Sequence, residues 1–153
     1  MLDEIDVKML EILQFKGRTH RSALAETVKL SLPSVSDRLR KLEESGYIRG
    51  YVAILGHRKL GKDITAFIEV TVDSSKHFPS FVDHSMQNDD ILECHAITGK
   101  GSHLLKIRVE NTSELEKLLA KIQSWPGVSG TQTHLVLSSP IERTQIRISS
   151  NKT

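Results

Sequence analysis

The run Ser34-Val35-Ser36-Asp37-Arg38-Leu39-Arg40-Lys41 sets hydroxyls, cations and one carboxylate among apolar residues at helical spacing. Val35, Leu39 and Leu42 form one buried stripe. The other faces then carry Ser34, Ser36, Asp37, Arg38, Arg40 and Lys41. Groups of these types recognise nucleic acid. An arginine can fork onto a guanine edge, the role expected of Arg38. Arg40 and Lys41 suit phosphates, and the serines can bond either phosphate or base. Free N–H groups at a helix start also attract phosphate. Arg18, His20, Arg21 and Arg49 flank this segment in sequence and could grip the backbone. Asp37, Glu43 and Glu44 work against broad phosphate binding; they repel misplaced phosphates or simply face solvent. The plain alternative is the solvated face of any amphipathic helix.

Context decides between the two. A helix is expected over 3–16, with Ile5, Met9, Ile12 and Leu13 on one side and Gly17 ending it. A second runs from Arg21 to Val28, and Lys29-Leu30-Ser31 interrupts the pattern. The third starts at Leu32, behind Ser31 as N-cap and with Pro33 in its first turn, and stops at Gly46. Tyr47 to Leu55 reads as extended, with a hairpin turn at Gly50. Three short helices and an extended wing make a winged helix-turn-helix, whose third helix enters the major groove.

The second half changes period. Ile64 to Val72 alternates as a half-buried strand. A helix follows at Phe78–Met86, then strands at Ile91–Thr98 and Leu104–Glu110 around a glycine-bearing loop. Leu115, Leu118, Leu119 and Ile122 mark another helix, stopped by Trp125-Pro126-Gly127. A last strand covers Val128–Ser138, and Ile141–Ile148 is read as an added edge strand. The order βαββαβ is ferredoxin-like. The fold class is therefore α+β. Residues 1–55 form the winged helix-turn-helix, 56–62 a linker, 63–148 the ferredoxin-like oligomerisation and sensing domain, and 149–153 a tail.

Bulk properties are permissive. A net charge of +2 on 153 residues does not by itself announce a polyanion partner, so cations must cluster locally. One cysteine, Cys94, allows no disulfide within the chain and suits a reducing compartment. The acidic start, Met1-Leu2-Asp3-Glu4, is unlike a signal peptide, and no apolar run reaches the ~20 residues of a membrane span. The expectation is a cytoplasmic protein with no membrane partner. The seven histidines lack ligand spacing, so no metal and no cofactor is expected. Cys94 reads as a small core residue, and Trp125 as a cover for the end of the sheet.

The run from Leu30 through Ser34-Val35-Ser36-Asp37-Arg38 to Gly46-Tyr47-Ile48 resembles the recognition helix and wing of the Lrp/AsnC, or feast/famine, regulators. So do Leu2-Asp3-Glu4-Ile5-Asp6, Glu93-Cys94-His95, Leu104-Leu105-Lys106 and Pro126-Gly127-Val128. The resemblance covers about residues 2 to 143. It implies a sequence-specific transcription regulator that binds double-stranded DNA, pairs into homodimers and often octamers, and in many members senses an amino acid. It also implies an effector site near the loop between the domain's second and third strands. The loop here is Gly99-Lys100-Gly101-Ser102-His103. Against the family's Gly-Asp-aromatic-Asp-aromatic pattern, Gly99 is kept and both acids are lost. Glycine N–H groups can hold a carboxylate, helped by Lys100, but an ammonium group would lack an acid partner. The same residues suit a plain hairpin loop.

Two rivals remain at this level. One is an effector-independent protein that wraps DNA. The other is an enzyme of the sirohaem decarboxylase type, which shares this two-domain look; the intact cationic third helix argues for a non-enzyme.

Overall fold

The computed structural model describes residues 1–149, so most of the expected tail, residues 150–153, lies outside the described residues. Contacts divide the chain into two compact units. The first holds Met1–Ile54 together with the described residues from Ile141 on; the second is Leu55–Pro140.

In the first unit, α1 spans Glu4–Phe15, α2 Arg21–Val28 and α3 Leu32–Glu44. Each start has a local cause. Asp3 caps α1 by accepting from the Asp6 N–H, and Asp6 reaches back to the Asp3 N–H. Ser31 caps α3 by accepting from the Ser34 N–H, with Pro33 in the first turn. Between α2 and α3 the chain turns at Lys29, the one described non-glycine residue with positive φ, at 57°. That left-handed step ends α2 in a single residue and keeps the helix-turn-helix turn short. Met9, Leu10, Leu24, Ala25, Val35, Leu39 and Leu42 close the core.

The wing segment carries no regular strand. Residues 49–56 form no strand, and no hairpin closes at Gly50. The segment carries exposed Val52, Ile54 and Leu55. A strand needs a partner for its backbone groups, and among the described residues no strand pairs with it. Residues 141–148 likewise form no edge strand and belong to the first unit instead of the sheet. The reason lies in α1. The Gln14 side chain donates to the Ile146 carbonyl at 2.9 Å and accepts from its N–H, satisfying the backbone that a neighbouring strand would have taken.

The second unit is one antiparallel sheet of order β2-β3-β1-β4, where β1 is Ile64–Val72, β2 Ile91–Ala96, β3 His103–Val109 and β4 Val128–Leu135. Two helices, α4 (Phe78–Met86) and α5 (Thr112–Gln123), complete the ferredoxin-like order. Ala66, Ile68 and Val70 of β1 and Leu105, Ile107 and Val109 of β3 share a core with Phe81, Leu118, Ile122 and Trp125. Both helices therefore cover one face. The opposite face carries Phe67 and Glu69 of β1, Leu104 and Lys106 of β3, and Gln132 and His134 of β4, and no helix of this unit lies on it. Among the described residues no helix is long and apolar enough to cross a membrane.

Candidate nucleic-acid interface

Helix α3 buries Val35, Leu39 and Leu42 and leaves Ser34, Asp37, Arg40 and Lys41 exposed. Its cations are not idle. Arg40 pairs with Asp37 at 2.8 Å and with Glu44 at 2.8 Å, and Lys41 pairs with Asp37 at 2.9 Å. Lys41, and after it Arg40, hold the Asp37 carboxyl below its ordinary range. The exposed surface of α3 is thus a self-neutralised chain of charges. These pairs stand in solvent, where salt and water screen them, so a phosphate can take either cation over without breaking buried structure.

Arg38 is placed differently from the guanine-reading role its type suggests. Its side chain is only 28% exposed, and its guanidinium binds Asp3 at 2.6 Å and Asp6 at 2.8 Å. Both carboxylates belong to the capped start of α1. Asp6 is itself 17% exposed, so the guanidinium serves a partly buried anion. Arg38 ties α3 to α1 through one guanidinium nitrogen, Nη1, which donates to both carboxylates. The sequence shows Asp3 and Asp6 as helix-start acids; that they meet Arg38 comes only from the packing of α1 on α3.

Around α3 the structure gathers a second group. Arg21, at the start of α2, reaches Ser36 at 3.4 Å. Tyr51 donates to Glu43 at 3.0 Å; burial first, then Glu43, pushes its phenol up to about 12. Ser34 lies in the first turn of α3, its hydroxyl accepting from Ser31 at 2.9 Å. Arg18 and Arg49 are exposed. Removing both by Arg18→Ala and Arg49→Ala is expected to flatten the slope of log affinity against log salt by about 2, roughly one per phosphate contact. Fluorescence anisotropy over a salt series measures it, and an unchanged slope excludes both from the phosphate contacts.

The β2–β3 loop is folded down onto β1. The Ser102 N–H donates to the Val70 carbonyl at 2.9 Å, and the Ser102 hydroxyl accepts from the Val72 N–H at 2.9 Å. The Gly101 N–H donates to the Glu69 carboxylate at 3.1 Å. An anion therefore already occupies the amide that the sequence offers to a ligand carboxylate. Glu69 was not among the sequence candidates. It is the one acid on the outer face of β1, among Thr65, Phe67 and Thr71, and only the β1–β3 pairing brings it under the loop. Gly99, at φ 110°, and Lys100 stay exposed.

His103 is set apart from the other loop residues. It opens β3 on the helix-covered face, 3% exposed, with ring centres 4.7 Å from Phe78 and 4.8 Å from Phe81. It is core, and burial pushes its pKa below the ordinary 6.5. As pH falls below 6.5 the unfolded chain takes up the proton first. The stability tied to the neutral ring is present above 6.5 and is lost as pH falls toward the depressed folded value. His103→Phe is expected to remove that part of the acid sensitivity. Denaturation of both proteins between pH 7 and about pH 5 checks it: parallel losses would exclude His103 as a cause.

Known proteins agree with this architecture. Residues 2–49 match the family model described as winged helix-turn-helix DNA-binding, and residues 65–146 match the Lrp/AsnC ligand binding domain. The chain is 36% identical over 147 residues to the HTH-type transcriptional regulator FL11 of Pyrococcus horikoshii, covering 96% of this chain and 97% of that one. It is 35% identical over 139 residues to the leucine-responsive regulatory protein of Escherichia coli K12, covering 89% and 85%. Among solved structures, a Neisseria meningitidis transcriptional regulator in complex with L-Met superposes with a TM-score of 0.90 at 29% identity, over 96% of this chain and 97% of that one. Escherichia coli AsnC gives 0.88 at 29% identity, over 95% and 98%. With both halves matched in order and relatives aligned over nearly their full length, the chain belongs to the Lrp/AsnC family of DNA-binding transcription regulators.

Proposed function

We propose that this regulator reads its operator with the exposed flank of α3 and holds the phosphates with arginines around it. Ser34, Ser36, Asp37, Arg40 and Lys41 meet base edges and nearby phosphates. Arg18, Arg21 and Arg49 grip the backbone, and Arg38 keeps α3 seated on α1. The observation that carries the reading is the Ser31-capped α3, with its apolar stripe buried and its hydroxyls and cations turned outward.

Two copies would pair through the sheet face that α4 and α5 leave open, where Phe67 and Leu104 are only half-buried. Pairing two α3 helices suits a two-fold operator. Larger rings such as octamers extend the same logic. The protein works in the cytoplasm as a regulator and not as an enzyme, in line with relatives named as transcriptional regulators.

The effector is an amino acid. The L-Met complex of the Neisseria relative supports that class. The loop acids missing here are replaced from β1: Glu69 presents a carboxylate to a ligand ammonium group, while Lys100 and the Gly99 turn, next to Gly101 along the loop, meet the ligand carboxylate.

Anisotropy with the gene's own upstream duplex, beside a scrambled duplex, tests the reading with and without L-leucine and L-methionine. Preference for the upstream duplex, altered by one amino acid, is expected. Equal affinity for both duplexes would replace operator reading by architectural wrapping.

A further inference from the structure

The DNA-binding unit is not contiguous in sequence. The chain leaves it at Ile54, builds the whole second unit, and returns at Ile141. The returning segment is held to α1 at Gln14. Gln14 makes a two-point bond to the backbone of Ile146, and the Gln145 side chain donates to the Gln14 carbonyl at 3.3 Å. Ile148 packs against the core of the three helices. Ile141 and Ile146 are 74% and 75% exposed. A cleft of about 820 Å³ remains between the segment and α1, lined by Ile12, Phe15, Lys16, Arg143 and Arg147 among others.

We propose that residues 141–149 are a releasable clamp on α1, and through α1 on the recognition helix. Three observations make one connected path. The strap holds α1 at Gln14. The same helix holds α3 at its other end, where Asp3 and Asp6 bind Arg38. Between these points Met9 and Leu10 of α1 share the core with Leu39 of α3. Few buried contacts and solvent-exposed backbone bonds place the strap at the low-stability end of the unit, where local opening is easy. Docked, the strap fixes the α1 ladder and with it the seat of α3. Released, it leaves α1 without the Ile148 contact and the Gln14 bonds.

The clamp rests on α3 as the DNA-binding element, and the test separates the two. Full-length Ile148→Asp and the milder Gln14→Ala are compared with the parent by amide hydrogen exchange and by anisotropy on the upstream duplex. Both variants are expected to raise exchange in α1 and α3 about tenfold or more while β1 and β3 keep their protection. Affinity for DNA is expected to fall about fivefold or more. Unchanged exchange in α1 and α3 overturns the clamp. Faster exchange with unchanged DNA affinity also overturns it, because the strap would then pack without governing α3. If the parent protein binds no duplex, the DNA reading fails, and exchange in α3 alone decides for or against the clamp.

Discussion

Arg38→Ala is expected to destabilise the helix-turn-helix unit by about 2 kcal/mol and to weaken binding to every duplex alike. The figure falls between exposed ion pairs, at up to about 1 kcal/mol, and buried ones, at about 3–5 kcal/mol for losing one partner. Asp6, at 17% exposed, is the carboxylate left without its cation. Asp3 is 51% exposed, so solvent screens its share heavily. The Asp6 N–H first, and Arg38 after it, hold the Asp3 carboxyl below its ordinary 3.8. Its contribution is therefore present above about pH 4 and is lost as pH falls through the depressed folded value. Arg38→Lys is expected to recover part of the loss, because the ammonium keeps the charge but must reach both carboxylates from a shorter side chain. Urea denaturation of Arg38→Ala, Asp6→Asn and the double variant measures the coupling. Unchanged stability, with affinity lost on the intact operator but not on a duplex altered at one base pair, would return Arg38 to the role of base reader.

Gly101→Val is expected to destabilise the second unit and abolish effector binding. A Cβ at that position would lie 2.5 Å from Glu69 Cγ and 3.2 Å from its carboxyl carbon. Neither atom is the free tip of the side chain, so Glu69 must leave or the loop must rise. Either result breaks the bond from the Gly101 N–H to Glu69. Overpacking of this kind costs about 1–3 kcal/mol. Thermal denaturation is expected to show the loss, and calorimetry with amino acids is expected to show no binding. Adding Glu69→Ala should restore most of the stability and none of the binding. A destabilisation that persists in the double variant would mean that backbone conformation, not the Glu69 contact, requires the glycine.

Local chemistry explains what was legible in the sequence. The stripe Val35, Leu39 and Leu42, the Ser31 cap and the alternation from Ile64 to Val72 are short-range patterns, and each gave its element. Partnerships across sequence distance were not legible. Nothing near Arg38 announces Asp3 and Asp6, which lie over thirty residues away. Nothing in Gly99-Lys100-Gly101 announces Glu69 on another strand. The same limit explains the two misread strands. Residues 47–55 are largely apolar and 141–148 place isoleucines among polar residues, but a strand exists only with a neighbour. One segment has none among the described residues, and the other is engaged by a glutamine side chain on a helix.

The self-neutralised surface of α3 also bears on how the protein finds its site. Retention on arbitrary DNA comes from net positive charge facing the phosphates. Asp37 and Glu44 cancel Arg40 and Lys41 while α3 lies over a poorly matched sequence. On the proposed reading, the cations would trade carboxylates for phosphates most fully where base contacts also hold the helix close. Random stretches of the genome would then hold the protein less tightly than matched sites. The carboxylates of α3 thereby shorten the search, because less time is lost on the wrong DNA.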